Sequence, residues 1–152
     1  MTGSITVATA DEMEAFGRRI ATILRPGDII LLNGSLGAGK TLLVSGIAQA
    51  LGVEIQVTSP TFLVVRKYDD GLLPLTHVDV YRLRSTGEFT DLELVEGSTD
   101  GVLVIEWGSV IRSALPADVL NVELQVESNG ARSVRLVGEG EWRNRLLTEL
   151  TD

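Results

Sequence analysis

The feature that most constrains this chain is the segment from Gly34 to Thr41, which has the sequence GSLGAGKT. It matches the pattern G-x-x-x-x-G-K-[ST] at every fixed position. Glycine residues allow the backbone to adopt positive φ and to approach an anion closely, so that successive N–H groups converge on it. With this composition, chance would produce the pattern in a chain of this length with a probability of about 0.3%. The segment therefore predicts a phosphate-binding loop.

The residues on either side of the loop predict a strand before it and a helix after it. The apolar run Ile29–Leu32 favours a strand that is covered on both faces, as in the interior of an α/β sheet. From Thr41 to Leu51 the apolar residues have helical spacing, and Gly52 ends the helix. Lys40 would reach the β- and γ-phosphates of a nucleotide, and the Thr41 hydroxyl would bind Mg²⁺. These features indicate a nucleoside triphosphate site, and they leave ATPase, GTPase and kinase activities open.

Along the rest of the chain, strand and helix patterns alternate without a repeat or a linker, which predicts a single domain over residues 1–152. Thr9 and Glu12 form a capping box that opens an amphipathic helix. Val119–Glu127 alternates apolar and polar residues before the turn Asn129–Gly130, which predicts a half-exposed hairpin. Further strands are predicted at Phe62–Val65, Leu75–Tyr81 and Val102–Ile105, and a helix at Trp142–Leu150. The expected fold class is α/β, a three-layer P-loop NTPase fold with a central mixed, largely parallel sheet and an antiparallel hairpin near the C-terminus.

The composition argues against several classes of protein. The sequence has no cysteine and one histidine, His77, which excludes disulfides, thiolate metal sites and histidine zinc clusters. The formal net charge of -8 argues against a broad basic surface, so no binding to DNA and only indirect contact with RNA are expected. The sequence shows neither a secretory signal nor an apolar run of about 20 residues. We therefore expect a cytoplasmic protein without a membrane association.

A carboxylate at the end of a predicted strand is the first candidate partner of the loop. The apolar run Val102–Ile105 is followed directly by Glu106, in the position where ligand sites of parallel sheets lie. Mg²⁺ bound to a nucleotide takes one or two protein carboxylates, which makes Glu106 a candidate metal ligand. The alternative is a solvated glutamate at the end of a strand.

Two further segments carry candidate site residues. In Leu75–Tyr81 the alternation places His77, Asp79 and Tyr81 on one face of a strand, where Asp79 would orient the attacking water or hold a metal-bound water. A hydrogen-bonded edge strand is the alternative, and a lone His77 is more often structural than catalytic. Hydroxyls in Thr58–Thr61 could sense a γ-phosphate as nucleotide switches do, although serine, threonine and proline are common in ordinary turns.

Taken together, several motifs resemble one family. Gly37–Thr41, Ser59-Pro60-Thr61, His77–Arg82 and Ile105-Glu106-Trp107 agree in order and spacing with the bacterial TsaE (YjeE) family. The resemblance extends from about Ala10 to Val126. It implies a small P-loop protein that binds and hydrolyses ATP while acting with TsaB and TsaD, the proteins that transfer threonylcarbamoyl to adenosine 37 of tRNAs that decode ANN codons. tRNA is then contacted only through these partners.

The resemblance also implies roles for individual residues. ATP and Mg²⁺ become the cofactors, Lys40 the phosphate residue, Thr41 and Glu106 the magnesium ligands, and Asp79 a residue needed for hydrolysis. Thr61 becomes a switch-like residue near the γ-phosphate and Trp107 a neighbour of the site, while the adenine pocket touches the region of Ala10 to Met13. The nucleotide-binding positions are then Gly34, Ser35, Leu36, Gly37, Ala38, Gly39, Lys40, Thr41 and Leu42. The family commonly has aspartate after the first loop glycine, where this chain has Ser35, so an ion pair made by that aspartate would be missing.

Other classes of nucleotide-binding protein remain as alternatives. A small-molecule or nucleotide kinase shares the loop and the layers, but its arginine-rich lid has no counterpart beyond the pair Arg82 and Arg84. A GTPase is less favoured, because the sequence around Lys67 does not fit the usual guanine-reading motif. A nucleotide-dependent adaptor that does not hydrolyse ATP has the same sequence signals as a slow, partner-dependent ATPase.

Overall fold

The computed structural model describes residues 2–35, 37–54, 57, 65–80 and 85–149. Seven strands form one sheet in the order β1-β7-β6-β2-β5-β4-β3. The strands are β1 (Thr2–Val7), β2 (Ile29–Asn33), β3 (Val65–Tyr68), β4 (Leu75–Asp79), β5 (Val102–Glu106), β6 (Leu120–Val126) and β7 (Arg132–Gly138). The helices are α1 (Ala10–Ala21), α2 (Lys40–Ala50), α3 (Thr86–Asp91) and α4 (Trp142–Glu149), with 3-10 segments at Glu96–Ser98 and Gly108–Ala114.

The four central strands of the sheet are parallel. β2 pairs with both β6 and β5, and β5 pairs with β4, whereas the outer pairs β3–β4, β6–β7 and β1–β7 are antiparallel. This confirms the predicted mixed sheet with a parallel centre, and β6–β7 is the predicted hairpin near the C-terminus. Because parallel strands end on the same side of a sheet, the residues that follow β2, β5 and β4 lie near one another.

Buried side chains cover both faces of the sheet and define three layers. On one face Phe16 of α1 and Ile47 of α2 pack with Ile30 of β2. On the other face Phe89 of α3 packs with Leu31 of β2, together with part of the 3-10 segment that follows β5. The central strands β2 and β5 are therefore covered on both sides, as the apolar run in β2 predicted.

Helices α1 and α2 lie in close contact because each has a glycine where the backbone of the other approaches. A Cβ added to Gly46 would lie 2.0 Å from the carbonyl oxygen of Glu14, and one added to Gly17 would lie 2.2 Å from that of Leu43. Both distances are far below ordinary van der Waals contact, and the obstructing atoms belong to the backbone. This contact fixes the position of α1 against the helix that begins at the loop.

Local signals located most of the elements, and they missed strand β1 and helix α3. The N-cap half of the predicted capping box is present, since the hydroxyl oxygen of Thr9 accepts the N–H of Glu12 at 3.1 Å at the start of α1. The Glu12 carboxylate accepts the N–H of Ala8, the residue before the N-cap, at 2.6 Å. Strand β1 was not predicted, because it is a short edge strand whose partner β7 lies at the other end of the sequence. The six-residue helix α3 was also missed. Of the strand predicted at Phe62–Val65 only Val65 lies in the described residues, where β3 begins.

No helix in the described ranges is long and apolar enough to cross a membrane.

A polar cluster holds the end of β7 against the second 3-10 segment. Arg112 donates to a carboxylate oxygen of Glu139 at 3.2 Å, and the side-chain amide of Asn121 donates to the other oxygen. Burial raises the pKa of Glu139, but the hydrogen bonds from Asn121 and Arg112 and the charge of Arg112 outweigh it. The pKa of Glu139 therefore lies below its ordinary value of 4.5.

Candidate nucleotide-binding site

The loop from Gly34 to Gly39 connects the end of β2 to the first residue of α2. Gly39 has φ of 105° and precedes α2 without a side-chain cap, so the N–H groups of the first helical turn face the loop. A side chain at Gly34 is excluded, because its Cβ would lie 2.8 Å from the carbonyl oxygen of Leu124. Both ends of the loop thus require glycine, one for its dihedral angle and the other for space. Leu36 lies outside the described residues.

Lys40 is the first residue of α2, and its side chain turns back under the loop. It is 6% exposed, and its Nζ donates to the carbonyl oxygen of Gly34 at 2.8 Å. The same Nζ lies 3.7 Å from Oε1 of Glu106 and 4.4 Å from the ring centroid of Trp107. A buried ammonium is stable only with such partners. This arrangement places the lysine charge at the loop.

Glu106 is the last residue of β5, and its carboxylate joins Lys40 to His77. In the sheet Glu106 lies beside Leu32 at the end of β2 and beside Asp79 at the end of β4. It is 4% exposed, and its second oxygen lies 2.6 Å from Nε2 of His77. Because a carboxylate paired with an ammonium accepts hydrogen bonds, we assign the proton of this contact to Nε2. Glu106 is therefore not a solvated residue at a strand end, which was the alternative.

His77 and Asp79 lie on one face of β4, as the alternation predicted, and this face is directed toward α1 and α2. Leu75, two residues earlier, belongs to the core on that face, whereas Val78 belongs to the core on the opposite face. Asp79 is 5% exposed and His77 is fully buried. The bond from His77 to Glu106 was not predicted, because the alternation gives the shared face of His77 and Asp79 but not the pairing of β4 with β5. Tyr81, the third residue of this predicted set, lies outside the described residues.

The oxygen donors near the loop fit a magnesium ion that is shared with a nucleotide. The described residues contain no group of three or more His, Cys, Asp or Glu that could hold a metal alone. Mg²⁺ at a nucleotide takes only one or two protein carboxylates and completes its shell with phosphate and water oxygens. Thr41 in the first turn of α2 offers a hydroxyl, and the adjacent strand ends offer Glu106 and Asp79. Thr61 and the whole segment Thr58–Thr61 lie outside the described residues, so the predicted switch stays a prediction.

A pocket of about 190 Å³ adjoins the loop on the side of α1. Its wall includes Ala10 and Met13, which the family resemblance implied for the adenine pocket. Sequence reasoning missed the rest of the wall, and in particular Arg132, whose Nη2 donates to the carbonyl oxygen of Gly37 at 3.1 Å. No local signal could have found Arg132, because it lies 95 residues from its partner. The described lining residues are Val7, Ala8, Thr9, Ala10, Met13, Gly37, Gly39, Leu42 and Arg132.

The sheet, the loop and the buried pair Lys40–Glu106 define a P-loop protein with a nucleotide-binding site. Residues 7–134 match the family described as "Threonylcarbamoyl adenosine biosynthesis protein TsaE". The chain belongs to this TsaE family.

Similar proteins cover nearly the whole chain. The tRNA threonylcarbamoyladenosine biosynthesis protein TsaE of Bacillus subtilis is 36% identical over 93% of this chain and 89% of its own length. The protein of the same name from Streptomyces coelicolor is 42% identical over 85% of this chain and 92% of its own length. The crystal structure of YdiB from Bacillus subtilis superposes with a TM-score of 0.83 at 29% identity, and covers 99% of this chain and 95% of the other. The fold predicted from the sequence is thereby confirmed.

Proposed function

We propose that this chain, acting as a single domain over residues 1–152, is a magnesium-dependent ATPase that supports the threonylcarbamoyladenosine modification of tRNA adenosine 37. The observation that carries the proposal is the buried arrangement in which Glu106 bridges Lys40, at 3.7 Å, and His77, at 2.6 Å, directly beneath the loop. A buried carboxylate held between an ammonium and an imidazole beneath a phosphate-binding loop fits metal and phosphate chemistry better than a structural role. The names of the similar proteins supply the pathway.

In the proposed site each residue has a distinct task. The loop and the N-terminus of α2 bind the phosphates through backbone N–H groups. Lys40 exchanges its contacts with Glu106 and Trp107 for the β- and γ-phosphate oxygens. Thr41 and Glu106 hold the magnesium ion, which when bound neutralises charge on the phosphates.

Hydrolysis needs a group that orients water as well as groups that bind phosphate. Asp79 lies beside Glu106 in the sheet and is buried on the loop side, so its carboxylate can accept a proton of the attacking water. The water oxygen bonds to the γ-phosphorus while the bond from that phosphorus to the bridging oxygen of ADP breaks, which yields ADP and inorganic phosphate. Thr61 completes the site by sensing the γ-phosphate, in line with the family resemblance.

The charge of the chain supports action through partners rather than on tRNA directly. A net charge of -8 argues against a broad basic surface that would neutralise the phosphate backbone of tRNA. TsaB and TsaD, which the family resemblance implies, would contact the tRNA in the cytoplasm, while this chain controls their assembly or turnover through its nucleotide state.

Phosphate release from labelled ATP tests this proposal. We expect slow release by the pure protein and faster release when TsaB, TsaD and threonylcarbamoyl-adenylate are added. The Asp79→Asn variant should lose the stimulated release but retain nucleotide binding, whereas Lys67→Ala, which removes the exposed second lysine, should behave as the wild type. Transfer of the label to a small metabolite instead of water would contradict the proposal and identify a kinase.

A further inference from the structure

His77 is a fully buried histidine whose two ring nitrogens have different surroundings. Its Nε2 lies 2.6 Å from Oε2 of Glu106, a short distance of the kind expected when the acceptor of a hydrogen bond is ionised. Its Nδ1 has no hydrogen-bond partner among the described residues. A buried polar atom without a partner is costly, and an aliphatic side chain would avoid that cost. The bond to Glu106 is therefore the described contact that explains a histidine at this position.

The pairing of β4 with β5 determines how the imidazole reaches the carboxylate. His77 lies opposite Val104 in the sheet, and Asp79 lies opposite Glu106. The ring of His77 therefore extends diagonally, toward the residue two positions further along β5 on the same face. Val104 and Leu75, which neighbour His77 on this face, belong to the apolar core. The imidazole thus connects the core beneath the loop to the carboxylate at the strand end.

The two oxygens of Glu106 have separate partners. Oε2 contacts His77, whereas Oε1 lies 3.7 Å from Nζ of Lys40, which also donates to the carbonyl oxygen of Gly34. Oε1 is consequently the oxygen on the side of the loop. When Lys40 turns to the phosphates, as the proposed function requires, Oε1 loses this partner while the bond from His77 to Oε2 can persist. A carboxylate that is already held in one rotamer loses little side-chain entropy when it binds a ligand.

We propose that His77 is a positioning residue, whose Nε2–H holds the Glu106 carboxylate so that Oε1 is available to the magnesium ion of a bound nucleotide. This inference rests on the proposed function, since it takes Glu106 as a metal ligand. Carboxylates that bind metals are themselves oriented by hydrogen bonds, and loss of such a partner typically weakens metal binding ten- to a hundredfold. His77 acts only through Glu106 in this role and contacts neither the metal nor the phosphates.

Two substitutions at His77 separate positioning from simple packing. His77→Leu removes the donor and suits the apolar surroundings, whereas His77→Gln keeps an N–H donor at the same number of bonds from the backbone. ADP binding is measured by calorimetry at increasing Mg²⁺ concentrations and in EDTA. His77→Leu should raise the Mg²⁺ concentration for half-maximal ADP binding at least about tenfold, while the Kd of ADP in EDTA changes by less than about threefold. His77→Gln should stay within about threefold of the wild type in both measurements.

Thr76→Val is the matched control on the same strand. Thr76 is also buried, but it lies with Val78 on the opposite face of β4, so both measurements should match the wild type. Equal losses in His77→Leu and His77→Gln, or a loss that is as large in EDTA, would show a role in packing only and would overturn the inference. Should His77→Leu not fold, His77→Asn replaces it, because its shorter amide does not reach Glu106.

Heteronuclear NMR of the imidazole gives a second measurement, because His77 is the only histidine in the sequence. The Nε2–H tautomer is expected with and without Mg-ADP, and Glu106→Ala should shift the ring signals. The Nδ1–H tautomer, or a ring that does not respond to Glu106→Ala, would contradict the positioning role.

The variant Glu106→Gln distinguishes this inference from the proposed function. If Glu106→Gln leaves the Mg²⁺ dependence of ADP binding unchanged, the metal assignment in the proposed function fails, and this inference fails with it. If Glu106→Gln weakens that dependence while His77→Leu binds as the wild type does, only the positioning role of His77 is wrong.

Discussion

The contact between α1 and α2 gives a prediction that links packing to the site. In Gly46→Ala the new Cβ would lie 2.0 Å from the backbone oxygen of Glu14, which must retreat by about 1.4 Å to reach the 3.4 Å of ordinary contact. Overpacking that forces a backbone shift costs about 3 kcal/mol, the upper part of the usual range. Alanine recovers about 1 kcal/mol through its higher helix propensity. The net loss of unfolding free energy is about 2 kcal/mol.

A loss of that size is measurable by calorimetry. For a chain of this length it lowers the Tm by about 4–8 °C. The same change should weaken nucleotide binding, because a shift of α1 also moves Met13 relative to the loop. Met13 lies close to Gly39, since its Cε would be 3.0 Å from a Cβ added at that glycine. The control is Gly87→Ala in α3, where the nearest atom would lie 3.6 Å away and substitution should stabilise the protein by up to about 1 kcal/mol. A Gly46→Ala variant as stable as the wild type would refute the reasoning.

Three further predictions concern single side chains. Glu106→Gln should raise the Mg²⁺ concentration needed for ATP binding at least tenfold, yet change ATP affinity in EDTA less than threefold; equal losses would argue against a metal role. ADP binding should change the tryptophan fluorescence, because Lys40 leaves the ring of Trp107, and Trp107→Phe should abolish the change. Glu139 has a lowered pKa, so its stabilisation is present above pH 4.5 and is lost as the pH falls through the folded-state pKa. In urea unfolding, Glu139→Gln should therefore be destabilised at pH 7 and match the wild type near pH 3; a constant difference would contradict this.

The sequence could predict the parts of the site that depend on local backbone chemistry. The loop from Gly34 to Thr41 requires positive φ and close backbone approach, and these needs leave a glycine pattern that is visible without a structure. Glu106 was predictable because an apolar run ending in a carboxylate indicates the end of a buried strand. In the structure Lys40 and Glu106 lie 3.7 Å apart, and the register of β4 against β5 explains why Asp79 is adjacent to Glu106.

Contacts between distant segments were not predictable from one sequence. Arg132 reaches the loop because β7 folds beside β1, and that pairing depends on the whole sheet rather than on any local pattern. Strand β1 was missed for the same reason. For His77 the alternation predicted a face shared with Asp79 and a lone histidine favoured a structural role, whereas its bond to Glu106 depends on the pairing of β4 and β5. The local sequence therefore indicates which chemical groups each segment carries, whereas the pairing of the strands determines which segments come into contact.

The most direct test of the proposed site is calorimetric titration of Mg-ATP into the wild type and into Lys40→Ala. Lys40 is buried at the loop with its Nζ 2.8 Å from Gly34, whereas Lys67 on the edge strand β3 is exposed and provides the matched control. The account predicts that Lys40→Ala loses Mg-ATP binding, with an increase in Kd of at least about a hundredfold, while Lys67→Ala binds as the wild type does. Wild-type affinity in a folded Lys40→Ala protein would contradict the assignment of the nucleotide site.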